Sequence, residues 1–200
     1  MSMQMTPVSY VGIGMALLKG LRNDTLTDLC LEWRHKKISE DPNATGNEDS
    51  RIPDHKAVDQ LKEKITNTFH STIDDRYYLS EIWAHILEDN ETTMIHSHRN
   101  PQDYNHLNLS WVYYPKLPNN MRGGTIIFQM QQHNQTKNHS VSPEEGLLIV
   151  FPSWLPHYTT RNETGGLRVS ISGNMKIKNE DYPHVSRDRS SGIHTFYGVK

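Results

Sequence analysis

The chain has 200 residues, about the length of one domain, and hydrophobic residues make up only 34% of it. Its 21 Lys and Arg residues nearly balance 23 Asp and Glu residues, which is untypical of a nucleic-acid-binding protein, so we expect no nucleic-acid partner. No apolar run reaches the roughly 18 residues of a membrane span and no signal peptide is recognisable, so we expect a cytoplasmic protein without a membrane partner.

Two helices are predicted in the first part of the chain. The first spans residues 25–37, with Thr25 as its N-cap and apolar residues at helical spacing. The second spans about residues 53–72, where Asp54 is the expected cap and an apolar stripe is expected to pack against a sheet. The single cysteine, Cys30, lies among apolar neighbours and cannot form an internal disulfide, which predicts a buried, inert thiol.

After residue 75 the pattern changes to short apolar or alternating segments separated by Gly, Pro and Asn turns. The predicted strands are Tyr78–Leu87, Thr92–His98, Leu107–Tyr114, Gly124–Met130, Gly146–Phe151 and Leu167–Ile177. The polar segment between residues 131 and 141 is predicted to be an exposed loop. Six or more closely spaced strands predict a mainly β protein, an all-β sandwich or barrel, with the N-terminal helices covering one face.

We expect a single domain over residues 1–200. In this division the helical cover takes residues 1–77 and the β core takes about residues 78–178. The charged, weakly patterned residues 179–200 are expected to form a solvated C-terminal extension.

The twelve histidines stand out because histidine is the commonest metal ligand. His96 and His98 come at the end of a predicted strand, where residues two apart point to the same face. Two imidazoles in this arrangement can reach one metal ion without distorting the backbone. A third histidine, His157, follows a buried strand and a Pro-Ser turn, and these three histidines are the candidate metal ligands.

A cation and a hydroxyl follow on one face of the last predicted strand, where Arg168 and Ser170 are two residues apart. A non-haem Fe(II) oxygenase site needs three facial protein ligands and open positions for its co-substrate and O₂. When that co-substrate is 2-oxoglutarate, a buried Arg or Lys must pair with its distal carboxylate, and the planar fork of Arg suits a bidentate pair.

These motifs together resemble the 2-oxoglutarate/Fe(II)-dependent dioxygenase superfamily, and most of all the small oxygenases of bacteria and their phages. The resemblance covers roughly residues 82–178. It rests on Trp83–Leu87, His96–His98, Leu109–Tyr114, Gly123–Phe128, Pro143–Trp154 and His157–Asn174. It implies a double-stranded β-helix core (jelly-roll, cupin-like), in agreement with the strand count, and a phage-encoded member would act in the host cytoplasm or the virion.

The resemblance also implies a role for each matching residue. His96 and His157 match the first and the distal iron-binding histidines. Arg168 matches the cation that pairs with the C5 carboxylate of 2-oxoglutarate, Ser170 supports that carboxylate, and Tyr114 matches a tyrosine that hydrogen-bonds the co-substrate. Fe(II) and 2-oxoglutarate are therefore the expected cofactors.

The sequence departs from the superfamily pattern at His98, where the resemblance leads us to expect Asp or Glu. The small bacterial and phage oxygenases also resemble this chain in carrying His-x-His, which favours a three-histidine site. A second register, with His98 as first ligand and Asn100 as its partner, stays open, and Asp103 could bend back to the metal from the following loop. A neutral third ligand leaves the iron complex one unit more positive, so iron need not be the preferred metal.

Two further histidines lie near these motifs. His85, beside Trp83 on a predicted strand, faces either the interior of the barrel or its outside. His106 opens the strand after the metal motif and is the candidate outer partner of a ligand. We expect the other histidines to be ordinary exposed residues.

The resemblance implies an oxidoreductase that hydroxylates a substrate while 2-oxoglutarate is oxidatively decarboxylated to succinate and CO₂. The polar loops expected around the pocket mouth favour a protein side chain or a polar small molecule as the substrate. Two alternatives stay open: a non-catalytic structural or virion-associated jelly-roll protein, and a three-histidine metal cupin that does not use 2-oxoglutarate. A guanidinium of Arg168 that points into the barrel near the metal would argue against both.

Overall fold

A computed structural model of the chain describes residues 11–40, 50–98, 108–119, 121–132 and 135–177. Its helices are α1 (Asn23–Glu40) and α2 (Lys56–Thr72). Its strands are β1 (Gly14–Leu17), β2 (Ser50–Arg51), β3 (Tyr77–Leu87), β4 (Leu109–Lys116), β5 (Ile126–Gln132), β6 (Gln135–Val141), β7 (Leu147–Pro152), β8 (His157–Thr159) and β9 (Arg168–Ile177). The predicted C-terminal extension, residues 179–200, lies outside the described residues.

The strands form two antiparallel sheets that together make a jelly roll. The larger sheet has six strands in the order β1-β7-β4-β9-β3-β2. The smaller sheet has three strands in the order β6-β5-β8. Each sheet thus combines strands that are distant in the chain. The prediction of a mainly β jelly-roll protein is confirmed.

Helix α2 buries the apolar stripe that its sequence predicts. The buried residues of the stripe are Ala57, Val58, Leu61, Ile65 and Phe69. The predicted Asp54 cap is wrong, because the capping residue is His55. The backbone of His55 is extended and its Nδ1 accepts a hydrogen bond from the Ala57 N–H, at 3.1 Å. An imidazole nitrogen thus supplies the acceptor that a carboxylate was expected to supply.

Helix α1 begins at Asn23, two residues before the predicted Thr25 cap. Its inward-facing Leu26 and Cys30 are fully buried. Burial raises the pKa of the Cys30 thiol to about 12, so the nucleophilic thiolate is not formed at neutral pH, and the predicted buried thiol is confirmed. Within the part of the chain that the structure describes, neither helix is long and apolar enough to cross a lipid bilayer.

The two central strands of the larger sheet bury both of their faces. On β4, Trp111 and Tyr113 pack against the layer that contains both helices, whereas Val112 and Tyr114 face the space between the two sheets. The strand β9 alternates in the same way, but its residues between the sheets are polar. The apolar members Val169, Ile171, Met175 and Ile177 belong to the helix-facing core, whereas Arg168, Ser170 and Ser172 line a pocket. The alternation therefore separates an apolar core from a polar site.

Two predictions about single segments are wrong. The segment Thr92–His98 is not a regular strand, and its only ladder contact among the described residues is an antiparallel bridge from His96 to His157. The predicted loop of residues 131–141 contains the end of β5 and all of β6. Strand β6 is the edge of the smaller sheet and only Val141 on it is buried, so no apolar alternation marks it in the sequence.

We predict that Gly173→Ala lowers the free energy of unfolding by about 1–3 kcal/mol, because the added methyl has no space. An ideal Cβ at Gly173 would lie 2.4 Å from the backbone oxygen of Glu81 and 2.4 Å from the Trp111 ring. Urea denaturation measures the change. Gly12→Ala is the matched control, since nothing lies within 4 Å of its Cβ position. Equal stabilities of the two variants would contradict this packing.

Candidate active site

Three imidazoles that are distant in the sequence meet inside the jelly roll. The potential ligand nitrogens of His96, His98 and His157 all lie within 4.8 Å of one another. The bridge between the His96 segment and β8 creates this proximity, since the His96 N–H donates to the His157 carbonyl at 3.0 Å and the reverse bond is 2.9 Å. The next ligand candidate is tethered as well, because the His98 N–H donates to the Ser153 carbonyl at 2.8 Å.

Backbone carbonyls fix the proton positions on two of the three rings. The Nδ1 of His96 lies 2.8 Å from the Met94 carbonyl, and the Nδ1 of His157 lies 2.9 Å from the Leu155 carbonyl. A carbonyl oxygen only accepts, so each Nδ1 carries the proton and donates it. Each Nε2 is then left with a lone pair, which is the arrangement of a metal-binding imidazole.

Side chains surround the third ring. The Nδ1 of His98 lies 3.1 Å from the amide oxygen of Asn174 and 3.0 Å from the Ser110 hydroxyl. Asn174 is on β9, two residues beyond Ser172, and Ser110 is fully buried on β4. This ring is therefore held by the larger sheet, whereas the other two are held by their own loops.

Burial keeps two of these rings neutral. It lowers the pKa of His98 to about 4, partly offset by the hydrogen bond with Asn174. It lowers the pKa of His157 to about 3, partly offset by the hydrogen bond with Leu155. Only a neutral imidazole binds a metal ion, so at neutral pH an incoming ion meets lone pairs rather than protons. Imidazole nitrogens suit Fe, Zn, Cu and Ni, and the donor set fits Fe(II).

A buried cation faces the same pocket. Arg168 is 2% exposed, and its Nε donates to the Gly124 carbonyl at 3.1 Å. Its two terminal nitrogens lie 3.4 Å from the Ser170 hydroxyl and 3.2 Å from the Tyr114 hydroxyl. No carboxylate pairs with Arg168 within the described ranges. Because a buried charge without a counter-ion costs several kcal/mol, an anion that enters this pocket would be stabilised by Arg168.

One pocket contains both sets of residues. It has a volume of about 460 Å³, and its lining includes all six residues that the sequence singles out: His96, His98, Tyr114, His157, Arg168 and Ser170. The wall also carries apolar side chains, among them Val112, Ile126 and Phe151. An anion bound at Arg168 can thus share one cavity with a metal ion at the imidazoles.

The orientation of His85 is settled by the structure. It lines the pocket from β3, directly opposite Ser170 on β9. Burial and the charge of Arg168 lower the pKa of His85 to about 4, so it stays neutral beside the cation. The other open candidates, Asn100, Asp103 and His106, lie outside the described residues.

Gly124 and Asn174 are site residues that the sequence did not single out. Gly124 has φ +62°, and a Cβ there would lie 2.3 Å from Cε of Met121, 3.0 Å from Cδ of Arg168 and 3.3 Å from its Nε. Glycine is required both for the backbone conformation and for this close approach. The pair of glycines in the sequence marks a turn but not this contact. Asn174 was detectable as the next inward position after Arg168, Ser170 and Ser172.

Comparisons with known proteins agree with this geometry. Residues 81–174 match the family model described as "Putative 2OG-Fe(II) oxygenase", which spans most of β3 to most of β9. A prolyl-4-hydroxylase from Pseudomonas putida is 20% identical, with a TM-score of 0.58, over 84% of this chain and 94% of that one. AviO1 from Streptomyces viridochromogenes Tue57 is 11% identical, with a TM-score of 0.61, over 86% of this chain and 92% of that one.

The viral collagen prolyl hydroxylase of Paramecium Bursaria Chlorella virus-1 is 13% identical, with a TM-score of 0.56, over 89% of this chain and 98% of that one. These structures share the fold with this chain. The sequences of curated proteins give no match. The family match over residues 81–174, the jelly roll and the three converging imidazoles make this part of the chain similar to the 2-oxoglutarate/Fe(II)-dependent oxygenases.

Proposed function

We propose that this protein is a 2-oxoglutarate-dependent oxygenase, a hydroxylase whose Fe(II) is held by His96, His98 and His157. The observation that carries the proposal is the position of Arg168, a buried cation without a carboxylate partner in the described ranges, in the pocket that contains the three imidazoles. A structural barrel gains nothing from an uncompensated buried charge, and a cupin without a dicarboxylate co-substrate has no use for one beside its metal.

Arg168 is the proposed anchor of the C5 carboxylate of 2-oxoglutarate. Its planar guanidinium can pair with a carboxylate in a bidentate manner, and the burial of Arg168 strengthens the pair. The Tyr114 hydroxyl accepts from Arg168, so its own proton is free to be donated to the carboxylate. Burial raises the pKa of Tyr114, which keeps that proton in place at neutral pH. Ser170 lies beside the same guanidinium and is the third proposed contact.

Bound Fe(II) and 2-oxoglutarate supply O₂ activation coupled to oxidative decarboxylation, with succinate, CO₂ and a hydroxylated substrate as the proposed products. The chain contributes the placement. The neutral rings of His98 and His157 offer metal-binding lone pairs, and Arg168 orients the dicarboxylate toward them. The apolar wall around Phe151 keeps bulk water away from the reacting groups.

The proposed substrate group is a neutral protein side chain or polar small molecule. Arg168 is the one charged residue among the described residues that line the pocket, and it is committed to the co-substrate. The outer wall carries Trp83, Thr93 and Met94, and Met94 is 83% exposed. This combination of an exposed apolar side chain and uncharged polar groups suits a substrate that brings a neutral C–H bond to the metal.

We predict that anaerobic addition of Fe(II) and 2-oxoglutarate produces the weak visible charge-transfer band of a bidentate chelate. His157→Ala is expected to abolish the band because one ligand is lost. Arg168→Ala is expected to spare metal binding and to weaken 2-oxoglutarate binding by about 2–5 kcal/mol, which is at least roughly thirtyfold in Kd. Titrations followed by absorbance measure both effects.

Arg161→Ala is the matched control for this experiment, since Arg161 is exposed. It should leave the band and the Kd unchanged. A wild-type protein without a band at saturating ligand would favour the structural jelly-roll alternative. Metal binding without any dependence on 2-oxoglutarate would favour the three-histidine cupin.

We further predict that Gly124→Ala weakens 2-oxoglutarate binding about tenfold or more without loss of the metal, because the new methyl overlaps Met121 and crowds the Arg168 side chain out of its position. Gly165→Ala is the matched control. Gly165 has a similar φ of +69°, but nothing lies within 4 Å of its Cβ position. The control therefore has the backbone strain without the contact. Equal Kd values for 2-oxoglutarate in the two variants, measured by calorimetry, would contradict the role of Gly124.

A further inference from the structure

We propose that Asn174 is a positioning residue for the metal ligand His98, and that Glu81 holds Asn174 in the required orientation. This inference rests on the proposed three-histidine site. The three side chains form a hydrogen-bonded chain that crosses from β3 through β9 to the metal motif. The Asn174 amide nitrogen donates to the Glu81 carboxylate at 2.7 Å, and the Asn174 amide oxygen lies 3.1 Å from Nδ1 of His98.

The carboxylate determines which way the amide points. An ionised carboxylate accepts hydrogen bonds and donates none, so the NH₂ end of Asn174 must face Glu81. The oxygen end then faces His98 and also accepts from the Ser110 hydroxyl at 2.7 Å. An amide oxygen in this position binds only a protonated Nδ1. The lone pair of His98 is thereby assigned to Nε2, the same tautomer that backbone carbonyls impose on the other two rings.

For His98, side chains rather than the backbone contact Nδ1. In His96 and His157 the Nδ1 donates to the carbonyl two residues earlier in the chain, at Met94 and Leu155. For His98 the corresponding carbonyl belongs to His96, and that carbonyl already accepts the backbone N–H of His157 at 2.9 Å. The bridge that brings the first and third ligands together thus already uses the carbonyl that would be the local acceptor of the second. A side chain from another strand, Asn174, supplies the acceptor instead.

The Ser110 hydroxyl is the competing partner, at 3.0 Å from the same Nδ1. Its single proton has acceptors at Asn174 and at Ser153, at 2.7 and 2.8 Å. A hydroxyl can rotate to accept from or donate to an imidazole, so it accommodates either tautomer of His98. An amide whose NH₂ group is bound to a carboxylate can accommodate only the tautomer that carries its proton on Nδ1. The assignment of the positioning role to Asn174 follows from this difference.

The test reads the tautomer of His98 in the metal-free protein by ¹⁵N NMR and the affinity for Co(II) by absorbance. Wild-type protein should show a proton on Nδ1 of His98. Asn174→Leu should give a mixture of tautomers and raise the Kd for Co(II) about 10–100-fold. Ser110→Ala removes the competing partner of the same ring, and it should keep the proton on Nδ1 because the amide of Asn174 is still in place. Thermal unfolding of each variant separates these effects from loss of the fold.

A double variant, Glu81→Gln with Asn174→Asp, exchanges the carboxylate and the amide along the chain. The new carboxylate at position 174 accepts from His98, and the new amide at position 81 donates to that carboxylate. The single tautomer of His98 and the Co(II) affinity that Asn174→Leu loses should therefore both be present in the double variant. The role of Asn174 is overturned if Asn174→Leu keeps the tautomer and affinity, or if Ser110→Ala causes the loss instead. Failure of the wild-type protein to bind Co(II) would overturn the proposed function. The two failures can be told apart because the tautomer of His98 is measured in the metal-free protein.

Discussion

The burial of both faces of β4 and β9 is the constraint on which the rest of the structure depends. A strand in the middle of a sheet presents alternate side chains to opposite layers, and here the two layers have different chemistry. On one side, Trp111 and Val169 join the core that contains the helices. On the other side, Tyr114 and Arg168 meet in the pocket. The helices cover the apolar side, which leaves the opposite side free to carry polar groups.

The elements that the sequence predicts well are those with one-sided or continuous burial. The stripe of α2 and the alternation of β9 are visible because solvent and core impose different residues on their two faces. The edge strands lack this signal. Residues Met15 and Leu17 of β1 are more than half exposed, and β6 is exposed along nearly its whole length. Alternating apolar residues mark a strand only where one of its faces is buried. These edge strands lack such a face, so the sequence does not reveal them.

Some features of the site could likewise be predicted from the sequence and others could not. The candidate ligands and the cation could be predicted because their spacing and residue types express one chemistry, and the structure brings all of them into one pocket. The contacts that orient them could not be predicted. The contact of Glu81 with Asn174 joins residues 93 apart in the chain, and the close approach of Gly124 to Arg168 depends on the packing of a turn. Short-range patterns identify the candidate ligands and the cation, whereas the contacts that orient them are set by the fold.

The placement of Arg168, Ser170 and Asn174 on one strand has a consequence for how this protein can change over time. They occupy alternate positions of β9, and the residues between them fill the helix-facing core. A one-residue insertion between Arg168 and Asn174 would reverse the alternation on one side of the insertion. The side chains on that side would then point toward the helices, while those on the other side would still point into the space between the sheets. Substitutions can therefore accumulate in β9 one at a time, but length changes cannot. The exposed β6 carries no such restriction, and variation in length between related chains should concentrate there.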